Sequence, residues 1–169
     1  MNIALIGMMG SGKTTIGKHL CDSLRGFSFY DTDEEIVKLE NRSINEIFEC
    51  EGEEYFRKIE SEVLKKILNS DNNIISTGGG IIKNTDNSDV LLRKSVTIYL
   101  YARAEVLYNR IKNNKERPLL NNVDMEKKIF DLLKQREDKY KKAKYIIDTN
   151  NKTQEEIVKE ITEKLGIHE

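Results

Sequence analysis

The chain has 169 residues, 38% hydrophobic and 34% charged, with 28 Lys and Arg against 29 Asp and Glu and a net charge of −1. That length suits one compact domain, and the interleaving of both signs argues for small-molecule partners over a nucleic-acid footprint. No apolar stretch approaches the ~20 residues needed to span a bilayer, so no membrane partner is expected.

The two cysteines, Cys21 and Cys50, have neither CxxC spacing nor metal-ligand neighbours, and both fall in helix-like segments. They are expected to be buried or half-buried free thiols. Met1 leads straight into a strand-like run, without the basic stretch and long apolar core of an export signal. A cytoplasmic setting is the expectation.

The first strand candidate is 3–6, read as Ile-Ala-Leu-Ile. It runs into Gly7-Met8-Met9-Gly10-Ser11-Gly12-Lys13-Thr14, which matches the phosphate-loop pattern G-x-x-x-x-G-K-[ST], and a helical pattern follows over 14–24. Strand before and helix after is the context the motif requires. Glycines let the backbone turn its N–H groups inward as an anion nest, and the helix N-terminus adds partial positive charge. Lys13 is placed for the β- and γ-phosphates and the Thr14 hydroxyl for Mg2+. A nucleoside triphosphate with magnesium is therefore expected.

A second strand over 27–30 ends in Asp31-Thr32-Asp33. The two carboxylates suit one magnesium-linked role and one contact to an acceptor hydroxyl, although the same pattern also caps helices. Ser43 and Glu46 have capping-box spacing, so a helix should begin near Ile44. A crossover helix is expected over 53–68, where Arg57 and Glu60 can pair at i, i+3. Spacing alone favours an ordinary surface ion pair there.

The third strand, 73–76, leads to Gly78-Gly79-Gly80. Ligands bind beyond the carboxyl ends of strands in open α/β sheets, and three glycines admit close backbone approach. The segment 83–89 reads as polar. A fourth strand over 96–100 precedes a helix bearing Arg110, which could be a plain solvated residue.

The polar stretch 112–122 holds the only proline, Pro118, preceded by Arg117. Its length suits a lid whose arginine closes over phosphates. Arg136 lies in a charged helix over 125–143, where composition alone leaves it on the surface. A fifth strand over 145–147 follows. The Thr153 and Glu156 pair then marks another capping box, with a helix starting near Gln154.

Short apolar runs alternating with helices, each run reading as a strand buried on both faces, argue for a doubly wound α/β domain with a parallel sheet. The ordered set of motifs resembles the shikimate kinases, P-loop proteins of the nucleoside monophosphate kinase-like group. It comprises the phosphate loop, Asp31-Thr32-Asp33, Gly52-Glu53 with Phe56-Arg57 and Glu60, the glycine triplet, Arg117-Pro118-Leu119-Leu120, Arg136 with Tyr140 and Ala143, and Ile147-Asp148-Thr149-Asn150.

The resemblance implies a three-layer α/β/α P-loop NTPase fold with five parallel strands in the order 2-3-1-4-5. It implies a single domain over 1–169, with a substrate-binding subregion at about 33–60 and a lid at about 112–124. The implied activity is transfer of the γ-phosphate of ATP to the 3-hydroxyl of shikimate, a step of chorismate and aromatic amino acid biosynthesis, with Mg2+ as cofactor and a monomer as the working unit.

By the same resemblance, Lys13, Asp33 and Arg117 are catalytic. Gly10, Ser11, Gly12, Lys13, Thr14, Thr15, Arg110, Arg117 and Asn150 bind ATP, and Thr14 and Asp31 serve the metal. Asp33 would contact the acceptor hydroxyls, and Arg57 and Arg136 would grip the substrate carboxylate. Glu60 would orient Arg57, while Gly78, Gly79, Gly80, Phe48 and Phe56 line the acceptor pocket. The alternatives are another small-molecule kinase of this fold, acting on gluconate or a nucleoside monophosphate, or a nucleotide-binding module without catalysis.

Overall fold

A computed structural model describes residues 1–112 and 122–167, with the side chains of 122 and 123 left aside. Its elements run β1 (Ile3–Ile6), α1 (Lys13–Ser23), β2 (Ser28–Asp31), α2 (Thr32–Glu40), α3 (Ile44–Ile67) and β3 (Asn73–Ser76). After a short 3₁₀ turn at Ile81–Lys83 come α4 (Thr85–Lys94), β4 (Val96–Tyr101), α5 (Ala104–Lys112), α6 (Asn122–Tyr140), β5 (Tyr145–Asp148) and α7 (Gln154–Leu165).

All strand pairs are parallel, in the order β2-β3-β1-β4-β5, as the resemblance implies. The central strand β1 pairs Ile3 with Ile74 on one side and with Val96 on the other. Its four residues are all buried, as are those of β3, because helices cover both faces of a parallel sheet. The expectation of two-sided burial fails at the edges. In β2 and β5 only Asp31 and Ile147 are fully buried, since an edge strand lacks a neighbour on one side.

Two apolar clusters sandwich the sheet. One gathers Ile3, Leu5, Ile16, Leu20, Ile98, Ile147 and Ile161 under α1 and α7. The other gathers Ala4, Ile6, Ile75, Tyr99 and Leu107 with Phe56, Leu64 and Tyr140 from α3 and α6.

Both capping boxes form as expected. Ser43 accepts from the Glu46 N–H and Thr153 from the Glu156 N–H, and each glutamate returns to the cap's own N–H. The helix expected over 53–68 joins the one begun at Ile44, with a break at Gly52, where φ is 84° and only glycine sits without strain.

The polar segment 83–89 holds the start of α4. Asn84 caps that helix by accepting from the Asp86 and Asn87 N–H groups, which compensates for its polar first turn. Cys21 is half-buried, but Cys50 is exposed on α3, against the expectation of a sheltered thiol. No described helix is long and apolar enough to cross a membrane.

Candidate active site

The carboxyl ends of β1, β2 and β3 open into one cleft of about 1000 Å³. At one end is the phosphate loop. Gly10 and Gly12 carry φ of 78° and 90°, the left-handed values that turn successive N–H groups the same way. A Cβ on Gly10 would lie 2.9 Å from the Ile111 side chain, so α5 closes the loop from behind. Lys13 is buried, and its ammonium donates to the Gly7 and Met8 carbonyls, 2.9 Å each.

The Thr14 hydroxyl donates to Asp31 Oδ2 at 2.6 Å and lies 3.2 Å from Ser76 Oγ. Asp31 has two tasks, because its other oxygen accepts from the N–H groups of Asp33 and Glu34 and so caps α2. The capping reading of the acidic pair is thus met by Asp31, which at the same time reaches the Thr14 hydroxyl. Capping fixes the carboxylate so that its free edge faces Thr14.

Across the cleft, Arg57 donates to Glu60 at 2.8 Å. This is not the surface pair that spacing favoured: the Glu60 side chain is 0% exposed and that of Arg57 22%. Burial pushes the Glu60 carboxyl above its usual range, with Arg57 pulling in the opposite direction. Its second oxygen, Oε1, is buried without a partner. Both Glu60 and Asp33 crowd Gly78, where a Cβ would come within 2.8 Å of Glu60 Oε1 and 3.0 Å of Asp33 Oδ1. The Arg57 guanidinium lies over Gly80 in the same way, with a Cβ there only 2.6 Å from it. At these two glycines a side chain would have to displace the Glu60 or Arg57 head group, whereas the backbone angle there is ordinary.

Arg136 reaches the same corner from α6. It is buried, donates to the Gly79 carbonyl at 3.0 Å, and its Nε is buried without a partner. Charge at a helix position that composition leaves in solvent is drawn inward here because α6 packs across the glycine turn.

On the phosphate-loop side of the cleft, Arg110 is half-buried and donates to the Thr149 carbonyl at 2.9 Å and the Thr149 hydroxyl at 3.1 Å. Desolvation draws its guanidinium below the ordinary value. Of the two possibilities for Arg110, a plain solvated residue is excluded by these bonds.

The cleft thus brings together Gly10, Ser11, Gly12, Lys13, Thr14, Thr15, Asp31, Asp33, Arg57, the glycine triplet, Arg110 and Arg136. Glu60 stands one layer behind Arg57. Phe56 is buried with the Arg57 guanidinium 5.1 Å from its ring, and Phe48 lies 4.7 Å from it, tilted by 36° and exposed, but neither ring lines the cleft, against the expectation for both. Asn150 also stays outside the lining. It accepts from the Arg103 N–H and donates to Asp148, which shapes the loop after β5. Arg117 and most of the expected lid lie outside the described residues.

Sequence reasoning missed Thr32, Ser76, Tyr140 and Thr149 as parts of this site. Thr32 is fully buried and accepts from the Gly78 N–H at 2.9 Å, which ties the acidic pair to the glycine turn. Tyr140 donates to the Gly79 carbonyl at 2.6 Å. Thr32, Ser76 and Thr149 share one signal, a hydroxyl residue at or just past the carboxyl end of a strand, where a ligand crevice begins.

Comparison with known proteins agrees with this geometry. The family model described as shikimate kinase matches residues 9–166. A shikimate kinase of Caldanaerobacter subterraneus subsp. tengcongensis is 46% identical over 160 residues, 95% of this chain and 93% of the relative. One from Thermoanaerobacter pseudethanolicus is 41% identical over the same shares. Among solved structures, a shikimate kinase from Acinetobacter baumannii in complex with shikimate superposes with a TM-score of 0.90 at 38% identity, covering 97% of this chain and 92% of that one. With its central strand, phosphate loop and facing arginines arranged as described, the chain belongs to the shikimate kinase family.

Proposed function

We propose that this protein transfers the γ-phosphate of ATP to the 3-hydroxyl of shikimate, giving shikimate 3-phosphate and ADP. The observation that carries the reading is a single cleft with a phosphate loop at one end and two sheltered arginines, Arg57 and Arg136, flanking the Asp33 region at the other. A phosphate loop alone names only the donor. Arg57 already has Glu60, whereas Arg136 pairs with no carboxylate among the described residues, so the corner calls for an anionic acceptor, because a buried cation left unpaired is costly. A neutral sugar or polyol offers no partner for them, which disfavours an uncharged acceptor.

The chemistry requires positioning and charge neutralisation more than covalent help. Lys13 would turn from the loop carbonyls to the β- and γ-phosphates, and the N–H groups of residues 10–14 would cradle them. Asp33, beside Gly78, would hold the acceptor hydroxyl in line with the γ-phosphate and receive its proton. Arg57, braced by Glu60, and Arg136 would fix the substrate carboxylate, so the acceptor has one orientation only. Arg117 would add positive charge as the 112–124 lid closes and excludes water.

The convergence of Thr14, Asp31 and Ser76 oxygens fits Mg2+, a hard cation that takes oxygen ligands and keeps several waters. Thr14 would hold it directly and Asp31 through water. When bound, the ion would supply charge stabilisation on the phosphate oxygens. Arg110 and the loop after Asp148 would flank the adenine. The working unit is a cytoplasmic monomer in this reading, the reducing setting being supported by two free cysteines.

A coupled assay of ADP release tests the reading. Mg-ATP with shikimate should give sustained turnover, while gluconate and nucleoside monophosphates should give none. Turnover of either alternative with shikimate untouched would overturn it, and absence of any acceptor-dependent ADP release would favour a non-catalytic module.

A further inference from the structure

The Gly79 carbonyl is a junction. It receives two donors from α6, the Tyr140 hydroxyl at 2.6 Å and Arg136 at 3.0 Å, from residues one helical turn apart on the same face. Gly79 also packs on the phosphate loop, since a Cβ there would sit 3.4 Å from the Gly7 carbonyl oxygen and from the Met9 nitrogen. The donor loop, the acceptor turn and α6 therefore meet at one peptide.

Arg136 has two demands upon it. It bonds the Gly79 carbonyl now, and its buried Nε has no partner. When an acceptor carboxylate arrives, the guanidinium must serve that anion. A sheltered carbonyl abandoned by its only donor would carry a desolvation penalty. The second donor removes that conflict. Tyr140 is 1% exposed, stacked on Tyr99 at 4.9 Å with an interplanar angle of 18°, so its ring cannot drift from the carbonyl.

We propose that Tyr140 is a positioning residue for the acceptor: its hydroxyl keeps the Gly79 carbonyl satisfied and in place, so that Arg136 can be shared with the substrate carboxylate. Burial holds the Tyr140 phenol up at about 12, so it remains a donor across the working pH range. Tyr99 provides an internal control. It is equally buried and belongs to the same stack, yet its hydroxyl has no partner.

The inference rests on the shikimate reading above, and the test separates the two. Wild type, Tyr140→Phe and Tyr99→Phe are compared for KM and kcat with shikimate and with ATP, alongside thermal melting and direct shikimate binding. Phenylalanine keeps the ring and its stacking, so both variants retain the fold. Tyr140→Phe should raise the KM and Kd for shikimate about five- to tenfold, with kcat and the ATP KM within about twofold of wild type. Tyr99→Phe should leave all four constants within about twofold. An unchanged shikimate KM in Tyr140→Phe, a loss confined to kcat, or an equal rise in Tyr99→Phe would overturn the inference while leaving the shikimate reading intact. Failure of wild type to bind or use shikimate would overturn both.

Discussion

The donor and acceptor halves of the cleft are built by different means. The phosphate loop is a contiguous run of backbone, eight residues with positive φ at Gly7, Gly10 and Gly12, whose N–H groups would do the binding in the proposed reading. The acceptor half is made of side chains from α2, α3 and α6 and the turn after β3, held by buried ionic and hydrogen-bonded contacts. A backbone site tolerates variation in most of its side chains. A side-chain site fails when any one partner is lost, because the survivors are left sheltered and unpaired.

Substitutions can break this contrast from either end. Lys13→Ala should have the largest effect on rate, lowering kcat roughly 10²–10³-fold in the coupled assay, with shikimate affinity and melting temperature little altered. Arg57→Ala should act the other way round, raising the shikimate Kd about a hundredfold. It should also destabilise the fold by about 3 kcal/mol in urea titration, because Glu60 loses its charge partner inside the protein. Adding Glu60→Gln to Arg57→Ala should recover much of that stability without recovering affinity. If the double variant were no more stable than the single one, the buried pair would not be what holds this corner.

A pH titration sharpens the same point. The Glu60 carboxyl is raised above 4.5 by burial, so in the window between 4.5 and its folded value the native state binds more protons than the unfolded chain. Stability from this group is then greatest at low pH and declines as pH rises through the folded value. Glu60→Gln should flatten that part of the urea-midpoint profile, and an unchanged profile would show that Glu60 is not its source. Smallest of all, Ser43→Ala, outside the cleft lining, should cost about 1 kcal/mol by loss of the capping bond, with kinetic constants unchanged.

The same contrast decides what could be read in advance. The phosphate loop was legible because all its determinants are adjacent and the required context, strand then helix, is itself visible in the apolar pattern. Both capping boxes were legible for the same reason. The sheet order was not contained in periodicity and came with the family resemblance. The pair Arg57 and Glu60 shows the limit: i, i+3 spacing states that two charges can meet, but not that Phe56, Gly78 and Gly80 close around them. Arg136 likewise reads as a surface residue until α6 is laid across the glycine turn. The start of α4 was missed because its first turn is polar and held by one asparagine side chain. Thr32 and Tyr140 bond glycine backbone groups far away in sequence, which no local pattern records.

The position of β1 has a kinetic consequence. It is the middle strand, hydrogen-bonded on both sides, with its side chains 0–3% exposed, and the phosphate loop springs directly from its end. Its amide hydrogens should exchange with deuterium only when the whole domain opens, whereas those of β5, on the sheet edge with one neighbour, should exchange through smaller fluctuations. The triphosphate would then be gripped from the slowest-breathing part of the molecule, and the base would rest against a faster one.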